Sequence, residues 1–395
     1  MEPLFTMIIF GTLILFGFLS AYLFTRTKIP DSLILMLSGA LLAKLGIVDP
    51  SSFTPFMGLM ASVALAIILF DAGMGMDVES IVEKLTSAFY LGLFGFFLTS
   101  FILAGIFHYL LQLPLIFALL LGFSVGGSSA AIVIPMAASL NMENGKLALL
   151  SLESTITNVL EVVFGLSVAQ LILRVNSDWR SALSIIFSSF STGIVLGVIA
   201  ALLWIRLLKK ARGKPYSYMI TLGALFILYG LTEMVGGSGA LASLTFGFIL
   251  GNSREITRLL HLPQVPATRF AQFHEEISFL VRTYFFLFIG TVLPVPTNTL
   301  FWGVAILAAA GIILGRIISL KALDLDMELL PFIPRGLNEA VLGVIYTTMG
   351  LPYSGDIFLI ISLIIILTNI LSAPLLKWMV KEKTGEEKEK EKRGK

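Results

Sequence analysis

Residues 122–135 read GFSVGGSSAAIVIP, and residues 331–343 read PFIPRGLNEAVLG. Each stretch interrupts an apolar run with glycine, proline and polar side chains. Glycine and proline release backbone groups that lipid cannot satisfy, so such breaks belong in a protein interior or beside a watered cavity. One break alone is typical of a kink at a helix contact. The two together decide the fold, because of where they fall in the chain.

The rest of the chain has the composition of a membrane protein. It has 395 residues, 57% hydrophobic and 13% charged, and its mean hydropathy is +0.94. A soluble domain typically carries about twice that share of charge. Apolar runs long enough to cross a hydrocarbon core of about 30 Å recur throughout. They predict thirteen spans, with these bounds: 4–24, 31–48, 56–75, 86–110, 114–138, 147–173, 184–205, 216–235, 238–251, 276–293, 298–319, 329–349 and 355–377.

The two broken stretches fall in spans 5 and 12, which lie seven apart and therefore run in opposite directions. This spacing predicts an all-α polytopic membrane protein made of two inverted repeats, with the substrate site where the broken helices cross. The repeat-like halves cover about 1–174 and 216–377, and span 184–205 links them. Residues 1–377 thus form one transmembrane domain. Residues 378–395 are a mixed-charge tail, expected to be a solvated helix or disordered.

The loops carry an asymmetric positive charge. Of the 27 Lys and Arg residues, most fall in loops on one side, and only Arg174 and Arg180 lie in loops on the other. Because cytoplasmic loops are enriched in Lys and Arg, we expect the N terminus outside and the tail in the cytoplasm of a cell membrane.

Ionisable residues inside spans are costly and mark functional or structural sites. They are Asp71, Glu153, Glu161, Glu233, Arg282, Arg316, Arg335 and Glu339. Glu233 and Arg282, like Lys44, lie near predicted span ends, where side chains snorkel to the interface. Arg335 and Glu339 are four residues apart, so we expect them to pair along one face of the crossing helix.

Span 6 carries a dense polar stripe in LESTITNVLE, residues 152–161. On a helical wheel its polar side chains fall within an arc of about 140°: Glu153, Ser154, Thr157, Asn158 and Glu161. The stripe cannot face lipid, and its acids need a cation. Arg316 in span 11 is a natural partner for Glu153, which leaves Glu161 as a proton or cation site. The alternative, that Glu161 is a second structural acid, stays open.

Six motifs in order resemble the monovalent cation:proton antiporter superfamily, the prokaryotic sodium/proton and potassium/proton exchangers. ILFDAGMGMD is similar to the end of its span 3, SVGGSSAAIVIP to its broken span 5, and LESTITNVLEVV to its span 6. TYFFLFIGTVL, GRIISL and PRGLNEAVLG are similar to spans 10, 11 and 12. The resemblance covers nearly the whole chain. It implies the antiporter fold, a homodimer, and a structural pair between Glu153 and Arg316.

The family's span-6 motif reads Glu-Ser-x-x-(Asn/Ser/Gln/Asp)-Asp, and its last Asp exchanges a proton for a cation. Carried over, Glu153 and Ser154 open the motif, and Thr157 and Asn158 close it. An amide therefore stands where the family has its exchanging acid. With Glu161 as the carrier, we expect the oxygens of Asn158, Ser154 and Ser128 to serve as neutral ligands of Na⁺ or K⁺. Ser128 and Ser129 replace the Thr-Asp of many members, as in the potassium/proton branch.

Only two acids can replace the missing one. Glu161 is the acid on the same face of span 6, about 4.5 Å along the helix axis from Asn158, and we expect it to reach the same cavity. Asp71, at the end of span 3, is the reserve carrier.

Four classes of function are candidates for this chain. The favoured one is a secondary active antiporter that exchanges protons for Na⁺ or K⁺ across the cell membrane by alternating access. The alternative is a transport-silent protein of the same fold, natural or engineered at Asn158, with a binding or regulatory role. A channel ranks lower, because no pore-loop signature or acidic ring is present. An enzyme ranks last, because no His/Cys/Asp cluster is present. Neither a cofactor nor a nucleic-acid partner is expected.

Overall fold

The computed structural model describes residues 3–27, 30–50, 54–76, 78–138, 140, 142–173, 179–210, 217–259, 270–293, 296 and 298–393. Throughout these ranges the regular structure is helical. The fifteen α-helices are α1 Pro3–Thr27, α2 Asp31–Lys44, α3 Met57–Gly75, α4 Val78–Leu111, α5 Leu115–Ser124, α6 Ala130–Ala138, α7 Asn144–Leu173, α8 Trp179–Lys210, α9 Ser217–Met234, α10 Gly239–Gly251, α11 Ser253–Leu259, α12 Phe270–Val292, α13 Thr299–Ala322, α14 Leu337–Thr348 and α15 Ser354–Arg393.

The prediction of an all-α fold with two broken spans is confirmed. Span 5 is divided into α5 and α6 by residues 125–129. Span 12 has residues 330–336 unwound ahead of α14. Six helices within the described ranges, among them α3, α4, α7 and α13, are long and apolar enough to cross a membrane by length and composition. Four shorter apolar helical stretches, including α5 and α10, accompany them.

The two broken spans cross in direct contact. The Ser129 backbone N–H, just ahead of α6, donates to Pro334 O at 2.9 Å. Pro331 and Pro334 cannot continue a helix ladder, which explains why α14 begins only at Leu337. Non-helical backbone at membrane depth needs protein partners. Each break is therefore buried in the molecule's centre, where it supplies some of the other's hydrogen bonds.

Packing between the halves is reciprocal. Helix α2 packs on α12 while α3 packs on α10, and α4 packs on α13. In spans, these contacts are 2 with 10, 3 with 9, and 4 with 11. If spans 1–6 correspond to spans 8–13, the contact of span 2 with span 10 corresponds to that of span 9 with span 3. The contact of span 4 with span 11 corresponds to itself. The contacts are those that two inverted repeats related by a pseudo-twofold axis would make.

Small residues allow these helices to approach closely, as is usual in membrane proteins. At both the α2–α12 and the α3–α10 contact, a glycine on each helix faces a backbone carbonyl of the other, so that an added Cβ would come within 2.0–2.2 Å of the oxygen. The pairs are Gly39 with Leu287 O, Gly290 with Met36 O, Gly73 with Leu244 O, and Gly247 with Phe70 O. The pseudo-twofold axis that relates the α2–α12 contact to the α3–α10 contact therefore also relates their glycine pairs.

Two charged residues that were expected at span ends are found there. Lys44 is the last residue of α2 and is exposed. Glu233 lies at the end of α9, and its Oε1 accepts a hydrogen bond from Gly239 N at 2.7 Å, at the start of α10. Helix α15 continues through the charged tail to Arg393.

Candidate functional site

The first break, residues 125–129 between α5 and α6, is bound by side chains of α7. Gly127 N donates to Glu161 Oε1 at 2.8 Å, and Ser128 N donates to Thr157 Oγ1 at 3.1 Å. A Cβ on Gly127 would come 2.6 Å from Glu161 Oε1, so this close approach requires glycine. Part of the polar stripe on α7 therefore satisfies backbone groups that the broken helix leaves open.

The second break, residues 330–336 ahead of α14, is bound in the same way by α15, which occupies in the second repeat the position of α7 in the first. Arg335 N donates to Thr368 Oγ1 at 3.1 Å, and Asn369 Nδ2 donates to Arg335 O at 2.8 Å. Sequence reasoning missed this role of Thr368 and Asn369. The signal was present, because a polar pair interrupts the apolar run IFLIISLIIILTNILSAPLL at the position that corresponds to the stripe of α7.

Arg335 holds the first break from the other side. Its Nε donates to Val125 O at 3.0 Å, its Nη2 to Gly126 O at 3.1 Å, and its Nη1 to Ile333 O at 2.7 Å. Contrary to the prediction from the sequence, Arg335 and Glu339 do not share one helix face, although their charges interact. Arg335 lies in the unwound segment before α14, where the i to i+4 geometry does not exist, and Glu339 Oε2 instead accepts from Gly336 N at 2.8 Å.

Glu153 and Arg316 form an ion pair between α7 and α13. Arg316 Nη1 donates to Glu153 Oε1, and Arg316 Nε and Nη2 both donate to Leu329 O at 3.2 Å. Both side chains are buried. A small cavity of about 20 Å³ beside them is also lined by Ser128 and Arg335, and this is enough room for one water molecule.

A larger cavity of about 680 Å³ lies on the other side of the crossing. Its polar and charged lining residues are Asp71, Ser129, Ser151, Thr155, Asn158, Ser278, Arg282 and Asn338. They come from α3, the first break, α7, α12 and α14. The cavity is therefore formed where both repeats meet, and Asp71 is its one carboxylate among the described residues. Ser278 Oγ donates to Asp71 Oδ2 at 2.5 Å.

The expectation that Arg282 snorkels to the interface is wrong. Helix α12 begins at Phe270, about two turns before the predicted span, so Arg282 lies in its middle and lines the cavity. Its Nη2 lies 3.2 Å from Asp31 Oδ2, and its Nη1 donates to Ala131 O at 3.2 Å. Asp31 was missed, because it stands in the first turn of α2, where an acid is common for helix-dipole reasons.

The predicted cation ligands do not meet in one cavity. Asn158 and Ser129 line the large cavity, whereas Ser128 lines the small one. Ser154 lines neither, and its hydroxyl donates to Leu150 O at 2.7 Å. The set of Asn158, Ser154 and Ser128 is therefore corrected. Ser128 and Ser129 are neighbours on non-helical backbone and line different cavities.

Glu161 also lies away from the large cavity. It is fully buried against the first break and is absent from the residues that line either cavity. The expectation that Glu161 and Asn158 share a cavity is therefore wrong. Three residues along a helix amount to a rotation of about 60° and a rise of about 4.5 Å, and Glu161 is hydrogen-bonded to Gly127 N of the first break whereas Asn158 lines the large cavity.

Comparison with protein families identifies the scaffold. Residues 11–382 match the protein family described as "Sodium/hydrogen exchanger, transmembrane". This chain belongs to the sodium/hydrogen exchanger family. Membership, together with the apolar helices, establishes a multi-pass membrane protein. The family prediction made from the six motifs is confirmed.

Relatives within this exchanger family include the K⁺/H⁺ antiporter NhaP of Alkalimonas amylolytica, 26% identical over 335 residues, which are 83% of this chain and 55% of that protein. The K⁺/H⁺ antiporter NhaP2 of Shewanella baltica (strain OS223) is 33% identical over 201 residues, which are 49% of this chain and 34% of that protein. The chain thus spans about half of one relative and about a third of the other.

A solved structure supports the exchanger fold. The sodium proton antiporter MjNhaP1 from Methanocaldococcus jannaschii at pH 8 superimposes with a TM-score of 0.79 at 21% identity. The match covers 95% of this chain and 100% of that one. At this identity the likeness shows the fold, including its crossed helices.

Proposed function

We propose that this protein is a secondary active antiporter that exchanges protons for Na⁺ or K⁺ across the cell membrane. The observation that carries the proposal is the 680 Å³ cavity at the helix crossing, with the Asp71 carboxylate and the Asn158 amide in its lining. The named activities of the relatives, K⁺/H⁺ antiport and Na⁺/H⁺ antiport, support this class of function.

In this proposal Asp71 is the exchanging group. Antiport at one site needs a group that is neutral when protonated and charged when a cation is bound. A cation and a proton then compete for the same carboxylate. The cavity position of Asp71 supports this role, and the position of Glu161 argues against it for that acid. Asp71 therefore takes the role of proton carrier that was first expected of Glu161.

Asn158 and Ser129 are proposed as neutral oxygen ligands beside Asp71. Asn158 Oδ1 is buried and accepts no hydrogen bond from the described residues, so it is available to a hard cation, which prefers carboxylate, amide and hydroxyl oxygens. Arg282 contributes a positive charge to the same cavity, balanced by Asp31. The net charge of the cavity then depends on the protonation of Asp71 alone.

The proposal has four further parts. The two repeats move relative to each other to give alternating access, the protein forms a homodimer, its N terminus is external, and its tail is cytoplasmic. The reciprocal helix contacts support the first of these, because such repeats have two equivalent arrangements. The charge asymmetry of the loops supports the orientation.

A transport-silent protein is the second candidate, and the observation in its favour is Asn158. An amide at the family's exchanging position cannot carry a proton. In this case the fold would retain a binding or regulatory role without exchange.

Proton flux in proteoliposomes separates the two candidates. The purified chain is reconstituted, a pH gradient is imposed, and its relaxation is followed with a fluorescent pH reporter after addition of Na⁺, K⁺ or Li⁺. The antiporter proposal expects relaxation with Na⁺ or K⁺ and none with choline. Absence of relaxation with all three metal cations, together with its appearance in Asn158→Asp, would establish the silent protein instead.

A further inference from the structure

We propose that Glu161 and Glu339 share a single proton, and that this carboxyl pair is a proton-binding site separate from the cavity of Asp71. The two acids come from α7 and α14, on opposite sides of the helix crossing. Their carboxyl groups lie close enough for a hydrogen bond between them. Such a bond requires a proton on one of the two, because an ionised carboxylate only accepts.

Each acid uses one oxygen to bind a break and leaves its other oxygen without a backbone partner. Glu161 Oε1 accepts from Gly127 N, and Glu339 Oε2 accepts from Gly336 N, both at 2.8 Å. The other two oxygens, Glu161 Oε2 and Glu339 Oε1, are buried and meet no hydrogen-bond donor in the described part of the chain. A single proton between them would satisfy both. Two ionised carboxylates in contact would instead repel each other in a site without water.

The surrounding charges also call for one proton. Arg335 interacts with both acids, and the Glu153–Arg316 pair lies beyond it. These five groups comprise three acids and two arginines, so full ionisation would leave one uncompensated negative charge in a buried cluster. Tyr346 on α14 also faces Glu161, but its hydroxyl is hydrogen-bonded to Ser124 Oγ at 2.7 Å. Asp71 on α3 and Arg282 on α12 line the large cavity instead.

The pair lies apart from the proposed exchange site. Neither Glu161 nor Glu339 lines either cavity, and both are fully buried. The shared proton therefore links α7 to α14 by a hydrogen bond where the two repeats cross. This assignment does not depend on transport, and it would hold in a transport-silent protein as well.

Infrared spectroscopy tests the shared proton directly. A protonated carboxyl group gives a C=O stretching band that carboxylates lack and that shifts in D₂O. Glu161→Gln and Glu339→Gln each preserve shape and leave two acids against two arginines, so each should remove the same band from the spectrum at neutral pH. Asp71→Asn is the matched control and should leave that band in place. A band that persists in either glutamine variant, or that is absent from the unmodified protein, overturns the proposal.

Thermal stability provides a second readout that does not rely on spectral assignment. In each single variant the new amide N–H can donate to the remaining carboxylate, as the shared proton did. In the double variant the two amide oxygens still accept from Gly127 N and Gly336 N, so the two NH₂ groups face each other, and one acid remains against two arginines. We therefore expect melting temperatures of the single variants near that of the unmodified protein, and a clearly lower one for the double variant. A double variant as stable as the singles would contradict a shared proton.

Discussion

The polar side chains of α7 make three different kinds of contact within three turns of helix. Glu153 pairs with Arg316, Thr157 and Glu161 bind the backbone of the first break, and Asn158 lines the large cavity. Each contact is directed at a different structure: a buried arginine, open backbone N–H groups, and a space large enough for a hydrated ion. The density of the stripe therefore follows from the number of partners that surround α7.

At Glu153 and Arg316 the expected effect of substitution is on stability. Removal of one partner of a buried ion pair leaves an uncompensated charge and costs about 3–5 kcal/mol. We expect Glu153→Gln and Arg316→Gln each to lower the melting temperature, and the double substitution to recover part of the loss. Simple additivity of the two effects in thermal melts would contradict a direct interaction.

At Asn158 the expected effect is on pH dependence. Asn158→Asp adds a second titrating carboxylate to the cavity of Asp71, and like charges in one site titrate as a coupled pair. We expect the pH profile of cation-dependent proton flux to shift and broaden. Asn158→Ser, which keeps a neutral oxygen ligand, is the control and should leave the position of the profile unchanged. A profile unaffected by Asn158→Asp would remove Asn158 from the site.

At the scale of elements, the broken helices and the glycine contacts fix how the repeats meet. Each break is hydrogen-bonded to side chains of the next long helix: Gly127 N of the first donates to Glu161 of α7, and Arg335 O of the second accepts from Asn369 of α15. The close contacts of α2 with α12 and α3 with α10 hold the remaining helices around this crossing. Packing and satisfied backbone groups stabilise such a bundle, since lipid offers helices no hydrophobic driving force to associate.

Gly247→Ala tests the close contact of α3 with α10. The added methyl group would come 2.2 Å from Phe70 O, a backbone atom that cannot move without the helix. We expect a marked fall in melting temperature. Gly230→Ala on α9 is the matched control, because an added Cβ there meets no atom within 4 Å, and it should melt near the unmodified protein. Equal melting temperatures for the two variants would contradict the close packing.

Much of this element-scale structure could be predicted from the sequence. Pro331, Pro334 and the glycines of the first break mark the unwound segments directly, because their backbone chemistry is local. The places where prediction failed depend on the other helices. The direction in which Glu161 points is set by Gly127 from the crossing segment. The position of Arg282 was misjudged because polar residues before it hid the true start of α12. Periodicity within one span contains neither kind of information.

At the scale of the whole molecule, the proposed orientation can be tested by labelling. The chain contains no cysteine, so a single introduced thiol reports its own side of the membrane. Asp356, at the start of α15, should be external, and Lys321, at the end of α13, should be cytoplasmic. We expect a membrane-impermeant maleimide to label Asp356→Cys in intact cells and Lys321→Cys only after permeabilisation. The reverse pattern would contradict the orientation.

In the proposed exchange, the Asp71 carboxylate in the large cavity, and not the buried acid Glu161, releases the proton and binds the cation. Cation-dependent proton flux in proteoliposomes, compared for Asp71→Asn and Glu161→Gln at matched protein content, tests this assignment most directly. We expect Asp71→Asn to abolish the flux, because the described lining of the cavity then contains no carboxylate. We also expect Glu161→Gln to retain the flux, because its amide still accepts from Gly127 N. Flux that survives in Asp71→Asn and is lost in Glu161→Gln would show that Glu161, and not Asp71, is the exchanging acid.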